Sequence, residues 1–166
     1  MAAAAVKHTT PITLELGGKC PVIVDPRGVD LAIVAKRILW GKTKNAGQIC
    51  VAPDYVLIPR SSQKEFVAQL QKAFKDFFPT SPSTSDSYAR LVSEGAANRV
   101  KGYLDHTKGN IVVGGKVDTK TCFIEPTVVS DVGEDDSTMQ DEIFGPVLSV
   151  VPVDTLENAI SFISER

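Results

Sequence analysis

Apolar residues recur with a helical period in several stretches of the chain. In residues 29–42 ("VDLAIVAKRILWGK") they lie three and four positions apart, which predicts an amphipathic helix with Asp30 at its N-terminal end. A second helix is predicted to begin at Ser62, which forms a capping-box pattern with Glu65. Its phenylalanines lie on or near one face, so they are interpreted as core residues.

Two further helices and a helical N-terminal segment extend this pattern. A helix is predicted over residues 89–108, closed by Gly109. A last helix begins at Asp154 or Thr155, either of which can cap its first turn. The run of alanines at the N-terminus favours the end of a helix, which Pro11 stops.

Short apolar segments between the helices predict β-strands. Residues 13–16 and 21–25 are predicted as strands or extended segments around Gly17-Gly18, and residues 54–59, 110–115, 122–132 and 147–153 as strands. Because strands alternate with helices, the sequence predicts an α/β fold with a largely parallel sheet flanked by helices. No internal repeat or interdomain linker interrupts the pattern.

Composition and charge exclude several classes of protein. A length of 166 residues fits one domain, or one and a fraction. The apolar fraction of 43% and the charged fraction of 23% are ordinary for a soluble globular protein. A formal charge of −2 gives no electrostatic reason to expect nucleic acid or an anionic membrane as a partner. No apolar run approaches the ~18 residues that a membrane span needs.

The cysteines are odd in number, widely spaced and without a C-x-x-C pair: Cys20, Cys50 and Cys122. This pattern argues against a disulfide framework and against a zinc site, and the two histidines have no partner at ligand spacing, so no metal is expected. Free thiols in a reducing cytosol, and hence a cytoplasmic location, are the interpretation for Cys20 and Cys122. A small buried hydrophobe is the commoner role of a lone cysteine, and that reading also applies to Cys50.

The tripeptide "GKT" at residues 41–43 matches the end of a phosphate-binding P-loop. Such a loop needs a glycine five residues before Gly41, where this chain has Lys36. The tripeptide also follows a predicted helix, and the dipole at that end of a helix repels phosphate. A P-loop is therefore excluded.

Three segments combine residue types suited to nucleophilic catalysis: "LELGGK" (14–19), "NAGQIC" (45–50) and "EIFGPV" (142–147). Alone, a carboxylate such as Glu15 usually faces solvent. On an apolar segment beside two glycines, however, Glu15 is expected to be partly desolvated, which favours its use as a base. A thiol and a carboxylate base with space between them form a nucleophile constellation.

These three segments resemble the signature motifs of the aldehyde dehydrogenase superfamily. The glutamate and cysteine motifs stand 35 positions apart, about the separation found in the family, and the likeness covers almost the whole chain. "CVAPDYVL" is most similar to the class 3 branch, which favours aromatic and medium- or long-chain aliphatic aldehydes. The resemblance implies an aldehyde dehydrogenase catalytic domain, incomplete at both ends. Residues 1–12 would be a remnant of the last helix and linker of the nucleotide-binding domain, and residues 13–166 the catalytic domain.

The resemblance implies a catalytic role for two side chains. Cys50 is expected to attack the aldehyde carbon as a thiolate, giving a thiohemiacetal and, after hydride transfer to NAD or NADP, a thioester. Glu15 is expected to activate the water that hydrolyses this thioester to a carboxylic acid. The backbone N–H of Cys50 would stabilise the oxyanion.

The resemblance also implies contacts with the cofactor. Glu142 is expected to hydrogen-bond the nicotinamide ribose, and Phe144 to pack near the nicotinamide. Backbone around Leu16 and Gly17 would line its other side. Cys20 stands where the family often has serine and is interpreted as a tolerated small residue. The implied partners are a small-molecule aldehyde and, for the whole enzyme, further copies of itself in a homo-oligomer.

Three hypotheses follow for this chain. The first is a part of an NAD(P)-dependent aldehyde dehydrogenase that is very weakly active or inactive alone, because much of the family's cofactor-binding surface lies outside residues 1–166. The second is a slow, cofactor-independent thiol esterase that uses Cys50 and Glu15. The third is a non-enzymatic truncation product that binds a protein partner through exposed apolar surface.

Overall fold

The computed structural model describes residues 1–165, which form an α/β fold. The α-helices are α1 (Ala2–Val6), α2 (Leu31–Thr43), α3 (Arg60–Phe77), α4 (Glu94–His106) and α5 (Leu156–Ser164). The strands are β1 (Pro21–Ile23), β2 (Tyr55–Pro59), β3 (Asn110–Val113), β4 (Val117–Asp118), β5 (Phe123–Ile124), β6 (Thr127–Ser130) and β7 (Val147–Val153). Short 3-10 helices cover Lys44–Gly47, Pro82–Thr84 and Ser137–Met139.

A five-stranded sheet in the order β1-β2-β7-β6-β3 forms the centre of the fold. The pairs β1/β2, β2/β7 and β7/β6 are parallel, and the edge strand β3 is antiparallel to β6. Val56 of β2 pairs with Val150 of β7 in the middle of the sheet. The largely parallel sheet predicted from the alternation of elements is confirmed.

Side chains of the sheet alternate between two hydrophobic cores. On β2, Val56 and Ile58 pack in the core formed with α2 and α3, whereas Tyr55 and Leu57 belong to the core formed with α4 and α5. All four side chains are buried. Burial of one side chain of this size contributes about 1.5–3 kcal/mol. A parallel strand covered by helices on both faces explains why residues 54–59 are almost wholly apolar.

Polar side chains cap two helices where the sequence predicts. Asp30 accepts a hydrogen bond from the backbone N–H of Ala32 at 2.8 Å, at the start of α2. Thr155, the second of the two predicted candidates, caps α5 in a reciprocal capping box with Asn158. None of the helices within residues 1–165 has the length and apolar character needed to cross a membrane.

Two helices begin at positions that differ from the prediction. Helix α3 begins at Arg60, directly after β2, so Ser62 and Glu65 lie inside the helix and do not cap it. Helix α4 begins at Glu94, five residues later than predicted, because the Ser93 side chain caps its first turn. Both differences move a helix end without changing which elements exist.

Three predicted strands are clearly shorter than expected, of which residues 21–25 form a strand only to Ile23. The stretch 122–132 is divided into β5 and β6, since Pro126 between them has no N–H to donate to a ladder. Cys122 lies outside β5 and has a positive φ of 56°. The stretch 110–115 ends as a strand at Val113, because Gly114 has a φ of 70°. Local backbone conformation therefore decides where these strands stop.

Residues 13–16, predicted as a strand or an extended segment, do not form a strand. Residues 10–20 have no regular secondary structure, and the first ladder pair of the sheet is Pro21 with Tyr55. A strand needs a hydrogen-bonded neighbour, and the ladder between β1 and β2 does not extend to this segment. Leu14 and Leu16 are 62% and 83% exposed. An alternating apolar pattern alone therefore did not make this segment a strand.

Candidate active site

The loop that carries Cys50 begins with an uncommon backbone conformation. It follows α2 through the 3-10 turn Lys44–Gly47, in which Asn45, Ala46 and Gly47 have φ values of 49°, 52° and 74°. A left-handed conformation costs roughly 1–2 kcal/mol for a residue with a Cβ such as alanine. The turn therefore needs support from contacts elsewhere in the fold.

Gly47 supplies one such contact. A Cβ at this position would lie 2.2 Å from the carbonyl oxygen of Gly145 and 3.0 Å from the nitrogen of Pro146. Only glycine satisfies both the positive φ and this close approach. The cysteine loop (residues 44–50) therefore packs backbone against backbone on residues 142–147, so two of the three predicted motifs are in contact.

The side chain of Gln48 holds the cysteine loop in place. Its amide nitrogen donates to the carbonyl oxygens of Asn45 at 2.9 Å and Arg90 at 3.1 Å. Its amide oxygen accepts from the backbone N–H of Val92 at 2.9 Å. These bonds tie the loop to residues 90–92, and Cys50 is exposed two positions after this anchor.

A buried ion pair connects the cysteine loop to the rest of the site. Lys42, at the end of α2, donates to Asp54 Oδ1 at 3.2 Å, and both residues are almost completely buried. The backbone N–H of Ile143 donates to the same oxygen at 3.3 Å, and that of Cys20 donates to Oδ2 at 3.2 Å. The Asp54 carboxylate thus bonds to the residue directly after the glutamate motif, to the end of the helix before the cysteine loop, and to a residue within the segment 142–147.

Burial lowers the pKa of Lys42, and the charge and hydrogen bond of Asp54 oppose that shift. A buried ammonium group is tolerated only with such a partner. The Lys42–Asp54 pair is therefore a structural constraint on the site.

Cys20 and Lys19 fix the end of the glutamate motif. The thiol of Cys20 donates to the carbonyl oxygen of Cys50 at 3.0 Å. Lys19 Nζ donates to the carbonyl oxygens of Thr138 at 2.9 Å and Asp141 at 2.8 Å. The chain is therefore anchored immediately after the two glycines of "LELGGK".

A cleft of about 600 Å³ opens beside these anchors. Its lining consists of Gly17, Gly18, Lys19, Arg99, Tyr103, Gln140, Asp141, Glu142 and Phe144. A Cβ on Gly17 would lie 2.7 Å from Glu142 Oε2, so this glycine leaves room for the carboxylate. Cationic, hydroxyl, carboxylate and aromatic groups line one space of a size usual for small-molecule sites. This donor set fits the polar ribose and the flat nicotinamide of a dinucleotide.

Arg99 holds the loop that carries Glu142 and Phe144. Its guanidinium donates to the carbonyl oxygens of Glu142 at 3.2 Å and Ile143 at 2.7 Å. Phe144 is 40% exposed and has a φ of 43°, a conformation that a bulky residue rarely adopts. Strain of this kind concentrates at functional sites, where surrounding contacts maintain it.

The structure brings together some of the predicted site residues. Gly17, Glu142 and Phe144 share the cleft. Cys50 is joined to this region through the Cys20 contact, although it is not part of the cleft lining. The prediction that Glu15 is partly desolvated is wrong, because its side chain is exposed. The segment 13–16 has no neighbouring strand that would cover it.

Leu16 is also exposed and outside the cleft lining, unlike its neighbour Gly17. Within residues 1–165, no group of three or more potential metal ligands is arranged to hold an ion.

Sequence reasoning missed the residues that hold the site together: Lys42, Gln48, Asp54 and Arg99. A signal existed for Lys42, which lies four positions after Ile38 on the apolar face of α2. Asp54 likewise opens an apolar strand segment. A charged residue on a buried face predicts a partner, but the sequence does not say which residue it is.

Comparisons with known proteins agree with this geometry. The model of the family described as "Aldehyde dehydrogenase family" matches residues 1–165. The chain is 46% identical over 164 residues to "Aldehyde dehydrogenase, dimeric NADP-preferring" of Rattus norvegicus, covering 99% of this chain and 36% of that protein. It is 44% identical over 163 residues to "Aldehyde dehydrogenase family 3 member A2" of the same organism, covering 98% of this chain and 33% of that protein.

A solved structure described as "Substrate bound state of Staphylococcus Aureus AldH" superposes with a TM-score of 0.91 at 39% identity. It covers 99% of this chain and 36% of that chain. The present chain thus spans about a third of the length of the relatives it matches. The two rat relatives belong to the class 3 branch that the sequence resembles. The resemblance is therefore confirmed, and the chain belongs to the aldehyde dehydrogenase family.

Proposed function

We propose that this chain carries the nucleophile and part of the cofactor site of an NAD(P)-dependent aldehyde dehydrogenase acting on aromatic or medium- to long-chain aliphatic aldehydes. The observation that carries the proposal is the buried carboxylate of Asp54. It bonds to Lys42, to the N–H of Cys20 and to the N–H of Ile143. A buried hydrogen-bond network of this kind holds a thiol-bearing loop and a ligand cleft in fixed relation.

The exposed thiol of Cys50 is the proposed nucleophile. Its thiolate attacks the aldehyde carbon and forms a thiohemiacetal, whose oxyanion is stabilised by the backbone N–H of Cys50. The thiohemiacetal becomes a thioester by losing a hydride. A nicotinamide cofactor, when bound, would supply the acceptor for that hydride. Glu15 then takes a proton from the water that hydrolyses the thioester to a carboxylic acid.

The cleft supplies the proposed contacts with NAD or NADP. The Glu142 carboxylate would accept hydrogen bonds from ribose hydroxyls, and Phe144 would pack against the nicotinamide. Gly17, with the backbone of Leu16 before it, would let the cofactor approach closely. The room that Gly17 leaves beside Glu142 supports this assignment.

The wider setting belongs to the same proposal. Residues 1–12 would be the end of a nucleotide-binding domain and residues 13–166 a catalytic domain; Arg166 lies outside the described residues. The name of the rat relative describes that protein as dimeric and NADP-preferring, which supports a homo-oligomeric whole enzyme. The free thiols of the chain favour a cytoplasmic location.

Location of the acyl group tests the assigned nucleophile without requiring cofactor. An activated ester such as p-nitrophenyl acetate is added to the chain, and the acylated residue is identified by mass spectrometry. The expected result is acylation of Cys50, lost in Cys50→Ala and retained in the matched control Cys122→Ser. Acylation of Cys20 or Cys122 in place of Cys50 would refute the assignment.

The redox step is tested separately by following NADH or NADPH formation from benzaldehyde. Turnover is expected to be very slow or absent in this chain, and any turnover should disappear in Cys50→Ala. Turnover that survives this substitution would contradict the proposed mechanism.

A second candidate, the slow thiol esterase, is favoured by one observation: Cys50 is exposed and lies outside the cleft lining, so an ester can reach it without cofactor. Steady ester hydrolysis that NAD and NADP leave unchanged, without aldehyde oxidation, would support this function. If iodoacetamide alkylates Cys50 no faster than Cys20 and Cys122, an activated thiolate is absent and this candidate loses its basis.

A further inference from the structure

Two thiols meet at the candidate site, and aldehyde oxidation uses only one of them. Cys20 and Cys50 are 30 positions apart in the sequence, yet the Cys20 thiol donates to the Cys50 carbonyl oxygen at 3.0 Å. Cys50 is exposed and Cys20 is half-buried. Cys122 packs instead against the core on the α4 side of the sheet. The structure therefore pairs two particular cysteines out of the three.

We propose that Cys20 and Cys50 form a peroxide-responsive pair, in which Cys20 captures oxidised Cys50 as an intramolecular disulfide. Hydrogen peroxide transfers one oxygen to the Cys50 sulfur, giving a sulfenic acid and one water. The Cys20 sulfur then attacks the Cys50 sulfur, the S–O bond breaks, and the oxygen leaves as a second water with the proton from Cys20. One peroxide is reduced while two thiols are oxidised to one disulfide.

The backbone places the two residues within reach of a disulfide. A carbonyl oxygen lies about 2.4 Å from its own Cα, so the Cys20 sulfur lies within about 5.4 Å of the Cys50 Cα. The Cys20 Cα lies about 2.8 Å from its own sulfur, so the two Cα atoms are at most about 8 Å apart. Disulfides span about 4.4–6.8 Å between their Cα atoms, so the Cys50 side chain must rotate toward Cys20 and its backbone must move by at most about 1–2 Å. Cys20 itself is fixed, because its N–H and carbonyl both bond to Asp54.

Exposure and charge assign the order of the two steps. Peroxide meets the exposed Cys50 first. Burial raises the pKa of Cys20, the charges of Asp54, Glu142 and Cys50 raise it further, and Lys42 opposes them. Cys20 therefore remains a thiol at neutral pH and acts second, as the resolving group. The pair protects Cys50 from irreversible oxidation and does not depend on aldehyde oxidation by the chain.

Peptide mapping tests the pair directly. The chain is treated with hydrogen peroxide at low molar excess, alkylated and digested with trypsin without reduction. The expected product is a reducible link between residues 20–27 and residues 45–60, the tryptic peptides that contain Cys20 and Cys50. Thiol titration should then fall from three free thiols to one per chain.

Two variants separate the pair from random oxidation. Cys122→Ser should keep the linked peptides, because Cys122 is not part of the pair. Cys20→Ser should lose them completely, and Cys50 should then gain about 32 Da as sulfinic acid.

The proposal is overturned if Cys50 links to Cys122 or to a second chain. It is overturned equally if Cys50 reaches sulfinic acid at the same rate with and without Cys20. The mapping on the unmodified chain decides the question even if a variant fails to fold.

Discussion

Removing both partners of the Lys42–Asp54 pair together should cost less than the sum of the costs of removing each partner alone. Asp54→Ala removes the acceptor for Lys42 Nζ and for the N–H groups of Cys20 and Ile143. Lys42 is then left as a buried cation without its carboxylate. Lys42→Met leaves the opposite problem, a buried carboxylate that keeps two N–H donors.

The expected magnitudes follow from what each variant leaves unpaired. Removing one member of a buried ion pair costs about 3–5 kcal/mol. Each unpaired buried N–H adds about 1–3 kcal/mol, although these contributions overlap. We expect about 5 kcal/mol for Asp54→Ala and about 3 kcal/mol for Lys42→Met. The double variant Lys42→Met/Asp54→Leu removes both buried charges of the pair and should cost at least about 3 kcal/mol less than the sum of the two single variants.

Urea unfolding followed by far-UV circular dichroism measures these free energies. The exposed pair Lys36–Asp76, at 2.9 Å, gives a matched control, since its loss should change stability by less than about 1 kcal/mol. Asp54→Ala alone could unfold the chain, because domains are stable by only about 5–15 kcal/mol. Lys42→Met and the double variant still provide the comparison. Additive effects, or a loss below about 1 kcal/mol for Lys42→Met, would refute the role of the pair.

Two further predictions concern a glycine and a buried carboxylate. Gly47→Ala should lower the free energy of unfolding by about 3 kcal/mol or more in urea titration, since its Cβ would meet the Gly145 carbonyl and its φ is positive; a loss no larger than that of an exposed Gly→Ala change such as Gly133→Ala would contradict the close contact. Burial raises the pKa of Asp136, but hydrogen bonds from the N–H groups of Thr138 and Lys108 outweigh it and leave the pKa lowered. The resulting stability is present above the usual carboxyl pKa and lost as pH falls through the lowered value, so the advantage over Asp136→Asn should be about 2 kcal/mol at neutral pH and shrink in acid; an advantage that does not change with pH would contradict this linkage.

The sequence predicts the elements of this fold well, because local patterns determine most of them. The apolar stripe of α2 and its Asp30 cap are visible in consecutive residues. Strand order is different, since β7 lies between β2 and β6 although it comes last in the chain. That order depends on packing between distant segments. The segment 13–16 has the same kind of pattern as a strand, but no neighbouring strand forms a ladder with it.

The candidate site likewise has parts that the sequence predicts and parts that it does not. The motifs around Cys50 and Glu142 could be recognised as short stretches of residues. The contacts that connect these motifs could not be predicted from the sequence, because they join distant positions. Asp54 accepts a hydrogen bond from Ile143, 89 positions away, and Arg99 donates one to Ile143, 44 positions away. Contacts of this range involve ordinary residue types whose meaning appears only in three dimensions.

The two proposed catalytic side chains differ in how firmly the chain positions them. Cys50 ends a loop held by Gln48 and by backbone packing on Gly145, whereas Glu15 lies on an exposed segment without a ladder. Attack by the thiol needs only the first of these, and hydrolysis of the acyl product needs both. An acyl group on Cys50 should therefore form faster than it leaves, so that one equivalent accumulates on this chain. Turnover would then require that residues 13–16 be packed against other structure, so that Glu15 is held in place to hydrolyse the acyl group.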